Sequence, residues 1–178
     1  MNTDGNQKLA RLPVFPSPSA PKEYGEWRLR VGGLVRTPLL LSYDNICAMP
    51  ASNFTAPFAC EEGWEVEALR WSGTRVTHLL RLAGLHKDAR HVVVGAGDFV
   101  TTLSLPEIDA NQALLAYRLD GSPIPWEHGG PLRLVLLGGP CYQSIKWVDR
   151  LDVIADPAAK IDTARDIALG RLTRRKAG

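Results

Sequence analysis

Residues 116–147 read AYRLDGSPIPWEHGGPLRLVLLGGPCYQSIKW, and the organisation of the chain turns on this stretch. It places an Asp-Gly turn, two glycine-rich turns and several prolines around an apolar run, with His128, Arg133, Ser144 and Lys146 scattered among them. Gly129-Gly130-Pro131 lets backbone approach a neighbour closely. Arg133 opens the apolar strand LRLVLL, and an arginine in such a place needs an anionic partner. Lys146 follows a second loop, two residues after Ser144. Arginine, lysine and backbone N–H groups together make an anion cradle suited to phosphate. The plainer alternative pairs Arg133 with a structural carboxylate such as Glu127. Spacing leaves both open.

Upstream, FACEEGW (Phe58 to Trp64) sets a lone cysteine, Cys60, before Glu61 and Glu62. Packing, nucleophile, disulfide and metal ligand are all available roles, and an isolated cysteine is more often structural. A nucleophile needs a base, for which His78, His86, His91 and His128 are candidates. Two adjacent carboxylates raise a nearby thiol pKa, which argues against a reactive thiolate. A soft metal reverses that balance, because coordination deprotonates a thiol.

Around these two stretches the chain reads as short strands with few helices. EWRLRV alternates, with Trp27, Leu29 and Val31 on one face and Arg28 and Arg30 on the other. Gly32-Gly33 turns it and LLLS returns. SYDNICAMP predicts a short helix capped by Ser42 and stopped by Pro50. WEVEALRW predicts a strand with Trp64, Val66 and Ala68 opposite Glu65, Glu67 and Leu69. THLLRLAGL predicts a helix with Thr77 as N-cap and Gly84 at its end. HVVVG, FVTTLSL, ALLAYRL and LRLVLL follow as strands, and DTARDIALGRL closes the chain as a helix. Helices do not alternate regularly with strands, so the fold class is α+β, mixed and mostly β. Residues 1–22, with four prolines in LPVFPSPSAPK, predict an extended arm. A domain over 23–156 and a C-terminal helix with a basic tail over 157–178 complete the expected organisation.

The 178 residues suit one domain with a real core, and the 45% apolar fraction is that of a soluble globular protein. A net charge of +2 gives no support to nucleic-acid binding. The basic GRLTRRKAG reads as a solvated tail, without aromatic interleaving. VVVGAGDFV lacks the third glycine of a dinucleotide fingerprint and runs on into a strand, so a turn between strands fits better. Three cysteines without paired spacing argue against a disulfide framework. No apolar leader opens the sequence and no run reaches membrane-spanning length, so a cytoplasmic, non-spanning chain is the expectation.

Taken together, three segments resemble the molybdopterin-binding domain of the sulfite oxidase family. WRLRVGGLVRTPLLLS is similar to that family's opening hairpin. FACEEGWEVEALRWSGTRVTHLL is similar to its cysteine segment, and the 116–147 stretch to its C-terminal signature. The resemblance covers roughly Trp27 to Ile154. It implies a molybdenum–molybdopterin cofactor, with Cys60 giving a thiolate to the metal and His128, Arg133, Ser144 and Lys146 holding the pterin and its phosphate. It implies an oxidoreductase that transfers an oxygen atom to or from a small substrate.

Departures from the family pattern matter as much. Sulfite-oxidising relatives place basic residues after the cysteine, where this chain has Glu61 and Glu62, so two carboxylates would repel sulfite. Gln143 replaces a further base in GGPCYQS. Glu61, Glu62 and Tyr142 are the candidates for shaping the substrate side. The family's dimerisation domain has no counterpart in the short remainder after Ile154. No haem motif is present, so electrons leave to a separate partner, a haem protein among the candidates. Two other classes compete: a cofactor- or partner-binding module that kept the fold without turnover, and a cysteine hydrolase.

Overall fold

The computed structural model describes residues 12, 14, 23–59, 65–156 and 162–176. Two sheets form the body. The first is ordered β2-β1-β10-β5-β6, from β1 (Arg28–Gly33), β2 (Leu39–Ser42), β5 (His91–Ala96), β6 (Phe99–Ser104) and β10 (Arg150–Ile154). Its β1–β10 pair is parallel and the other described pairings are antiparallel. The second is ordered β3-β4-β7-β8, from β3 (Ser52–Ala59), β4 (Glu65–Arg75), β7 (Leu114–Leu119) and β8 (Ser122–Pro123), with β9 (Arg133–Val135) also on β7. The short helices are α1 (Tyr43–Cys47), α2 (Val76–Ala83) and α3 (Leu105–Ala110); α4 (Thr163–Lys176) follows β10. This is the mixed, mostly β, α+β architecture that the patterning predicts.

Local chemistry explains most elements. In β1 the alternation buries Leu29 and Val31 and exposes Arg28 and Arg30, as period-2 geometry requires. Ser42 caps α1 in a reciprocal capping box with Asn45, and the helix ends before Pro50. Gly97, at φ 56, makes the β5–β6 turn, so VVVGAGDFV is a hairpin and not a phosphate loop.

Three expectations need correction. Helix α2 starts at Val76 behind Arg75, which makes no side-chain cap bond, so Thr77 lies inside the helix rather than at its N-cap. The sixth strand stops at Ser104, where a capping box with Glu107 starts α3; the S-x-x-E signal with Pro106 in the first turn was available in the sequence. In β4 the side-chain phase slips. Val66, Leu69 and Trp71 are buried, although strict alternation put Leu69 with Glu65 and Glu67. Ala56 pairs with Leu69 but Phe58 with Val66, so β4 carries an extra residue there, and a bulge reverses which face follows.

Strand β7 is buried on both faces. Leu115 and Tyr117 join the main core with Leu29, Val31, Leu79, Leu80, Val92 and Leu151. Leu114 and Ala116 join a smaller cluster with Phe58, Leu69, Trp71, Ile124 and Val135. Leu12, deep in the predicted N-terminal arm, is buried in that smaller cluster. Strand β9 follows the same alternation, with Leu134 in the main core and Val135 in the smaller one. Arg133 thereby falls on the smaller cluster's side, where an apolar residue would be ordinary.

Candidate functional site

The hairpin of β7 into β9 passes through a 3-10 turn at Trp126–His128 and a cis Gly130–Pro131 bond. A second 3-10 turn, Cys141–Gln143, returns the chain alongside β9. Two backbone bonds stitch this return: Leu134 N–H donates to the Ile145 carbonyl at 2.8 Å, and Val148 N–H to the Leu132 carbonyl at 2.9 Å. This return brings Arg133 and Lys146 onto the turn that carries His128, with Ser144 two residues before Lys146.

Gly129 is required here. Its φ is +100, and a Cβ would lie 2.7 Å from Lys146 Cγ and 2.8 Å from Lys146 Cβ. The lysine stem therefore lies directly on the turn. Its Nζ donates to the Glu127 carbonyl at 2.9 Å and sits 5.6 Å from the Trp147 ring centre.

Arg133 is buried, with 5% of its surface exposed. Its Nη1 donates to the His128 carbonyl at 2.9 Å, and its guanidinium lies 4.9 Å from the Phe58 ring centre and 5.6 Å from that of Trp71. Its Nε has no hydrogen-bond partner. Among the described residues no carboxylate pairs with it, so the Glu127 pairing that spacing left open is not formed. Burial pushes the guanidinium down to about 10, which leaves it cationic at neutral pH. A buried cation in this state is expensive unless an anion joins it. The two aromatic faces offset part of that cost.

His128 is buried beside it, and its Nδ1 also lacks a partner. Burial, then Lys146, lower its pKa, Arg133 adds to the effect and Glu127 opposes it. The imidazole is thus neutral near pH 7 and keeps an unused ring nitrogen. Ser144 is buried at the end of the second turn, its N–H donating to the Cys141 carbonyl at 3.0 Å. Two cations and a neutral imidazole with orphaned, buried polar atoms are a donor set for an anionic, heteroatom-rich ligand. They fit a pterin phosphate.

The proposed metal ligand Cys60 lies outside the described residues, as do Glu61 and Glu62. Tyr142 is half-buried within the second turn. Cys47 is a free, half-buried thiol whose pKa burial holds up, unlike a ligating thiolate. Cys141 is disulfide-bonded. Cysteine arithmetic argued against a disulfide framework, and an odd count does exclude full pairing; a single bond depends on spatial approach that sequence spacing does not report. Among the described residues no group of three His, Cys, Asp or Glu side chains is placed to hold a metal by itself. Sequence reasoning missed the aromatic support of the cradle: Phe58 and Trp71 under Arg133, and Trp147, with Trp126 packed on it, beside Lys146. The tryptophan at the end of the SIKW run was the one visible hint.

The chain belongs to the oxidoreductase molybdopterin binding domain family, whose model matches residues 15–161. It is 33% identical over 140 residues to the uncharacterized oxidoreductase YuiH of Bacillus subtilis (strain 168), covering 77% of this chain and 71% of that protein. It is 29% identical over 160 residues to a sulfite oxidase of Arabidopsis thaliana, covering 70% of this chain and 41% of that one. The crystal structure of the sulfane dehydrogenase SoxCD from Paracoccus pantotrophus shares the fold, with a TM-score of 0.72 at 20% identity, over 84% of this chain and 46% of that chain. The chain thus spans less than half the length of the last two. No described helix is long and apolar enough to cross a membrane.

Proposed function

We propose that this chain is the molybdenum–molybdopterin-binding unit of an oxidoreductase of the sulfite oxidase type, which moves an oxygen atom to or from a small substrate and passes electrons to a separate partner. The observation that carries it is the buried guanidinium of Arg133, with no carboxylate partner among the described residues, beside the unpartnered Nδ1 of neutral His128. When bound, the cofactor supplies two-electron redox chemistry at the metal. The protein supplies placement and charge. Arg133 and Lys146 would bind the phosphate with charge-assisted hydrogen bonds, Ser144 and His128 would complete its polar contacts, and Cys60, as a reduced thiol, would give the metal its protein thiolate. Phe58, Trp71 and the smaller apolar cluster exclude water around Arg133, which strengthens each of these interactions.

Glu61 and Glu62, directly after the proposed ligand in sequence, disfavour an anionic substrate such as sulfite. A neutral oxygen donor or acceptor suits them better. The proposed electron partner is a separate protein, a haem protein among the candidates. The family match and the relatives support the cofactor class.

Cys60→Ser tests the ligand assignment. Protein made in a pterin-competent host and kept under reducing conditions is assayed for molybdenum by elemental analysis and for pterin by fluorescence after oxidation. The wild type is expected near one of each per chain, and the variant to lose molybdenum and redox activity while keeping its melting temperature. Full metal occupancy and turnover in Cys60→Ser remove Cys60 from the metal. Pterin and metal without turnover on any oxygen-transfer substrate favour the non-catalytic module.

A further inference from the structure

We propose that Trp147 is a positioning residue that locks Lys146 onto the turn 126–129 and so sets the phosphate-binding geometry; this rests on the cofactor reading above. Trp147 has a φ of 57. Left-handed backbone is unusual for any side chain with a Cβ and a marked outlier for a bulky one, and it persists only where the surroundings over-determine it. Here they do. The Trp147 backbone N–H donates to the Gly129 carbonyl at 3.1 Å, and its indole Nε1 donates to the Trp126 carbonyl at 2.8 Å. Its ring packs on Trp126 at 5.7 Å between centres, and Trp126 packs edge-on against Trp27 at 5.8 Å. Trp27 in turn donates to the Val148 carbonyl at 3.0 Å, so the indoles grip the chain on both sides of the strained residue.

The consequence is visible along the turn. Four successive carbonyls, Trp126 to Gly129, each receive a donor from β9 or from the return segment after Ser144: Trp147 Nε1, Lys146 Nζ, Arg133 Nη1 and Trp147 N–H. Oxygen dipoles that would repel a phosphate are thereby occupied, and both cations are anchored beside His128 before any ligand arrives. Preorganisation of this kind raises affinity by removing the ordering cost of binding. Of the four donors Trp147 supplies two, and its conformation directs the lysine stem across Gly129. It would act on the cofactor through Lys146.

The test is release of molybdopterin from holoprotein, followed by fluorescence of the released pterin. Trp147→Phe keeps an aromatic ring and removes the indole donor. Trp147→Asn suits left-handed backbone and removes the ring, so it remains informative where the phenylalanine variant folds poorly. Each is expected to release cofactor about tenfold faster, an effect of the size of one lost charge-tuned contact. Because Trp147 acts through Lys146, adding Trp147→Phe to Lys146→Met is expected to change release less than about twofold. Wild-type release from both Trp147 variants overturns the proposal, as does full multiplication of the two effects in the double variant. If Arg133→Met and Lys146→Met both release cofactor at the wild-type rate, the cofactor reading itself fails and this inference falls with it.

Discussion

Two arginine sites in this molecule have opposite bookkeeping. On the outer face of the first sheet, Arg30 Nη2 lies 2.8 Å from Asp152 Oδ1, and Arg150 lies 3.6 Å from Asp152 and 3.3 Å from Asp149, with a further bond to the Gly97 carbonyl. These groups are partly exposed and complete: every cation has a carboxylate, and solvent screens the whole. In the second sheet Arg133 is buried, faces two aromatic rings and a carbonyl, and has no carboxylate among the described residues. The first arrangement satisfies itself. The second has no such partner among the described residues, which is why it, and not the more conspicuous surface network, is the candidate site.

The sharpest way to break this contrast is Arg133→Met. If the guanidinium serves a ligand and not the fold, its removal weakens cofactor retention by about 10–100-fold, the size of one lost charge-assisted bond. The same change raises the stability of the cofactor-free protein, by about 1–3 kcal/mol, because an unpaired buried charge is exchanged for an apolar side chain of similar length. Denaturant unfolding of the apoprotein checks the second half. A marked loss of apoprotein stability would show Arg133 to be a structural element.

A smaller effect is expected from Gly129→Ala. The added Cβ would stand 2.7 Å from Lys146 Cγ on a backbone with φ +100. The strain is about 1–3 kcal/mol, read as a lower unfolding midpoint together with faster cofactor release. Release unchanged at reduced stability would detach Lys146 from the phosphate.

The smallest effect sharpens the role of His128. Its pKa in the folded protein is lowered, chiefly by burial and then by Lys146, from an unfolded value of about 6.5. As pH falls, the unfolded chain takes up that proton first. His128 therefore costs the apoprotein nothing at pH 8, and destabilises it progressively below about 6.5 until the folded imidazole titrates as well. The difference in unfolding free energy between wild type and His128→Gln is expected to shift against the wild type between pH 7 and 5. A difference that stays flat over that range contradicts a buried neutral imidazole.

Much of this was legible in residue patterns. The alternation of Leu29 and Val31 with Arg28 and Arg30, the Ser42 cap and the Gly97 turn are local, and local rules decide them. What was lost depended on partners distant in sequence. The face of Leu69 is set by a bulge against β3, which alternation along β4 cannot register. At the site, the residue types of an anion cradle could be read in His128, Arg133, Ser144 and Lys146, but the choice between a ligand and Glu127 as partner for Arg133 could not. That choice belongs to the turn at Trp126–His128 and to Phe58 and Trp71, which lie 75 and 62 positions away from Arg133 in sequence.

The most direct measurement is molybdenum and pterin content per chain for wild type, Arg133→Met and Arg30→Ala, purified side by side from a pterin-competent host and passed through gel filtration. The account predicts near one equivalent of each in wild type and Arg30→Ala, and a small residual fraction in Arg133→Met with the fold intact. Equal content in Arg133→Met and wild type would contradict it and remove Arg133 from the cofactor site.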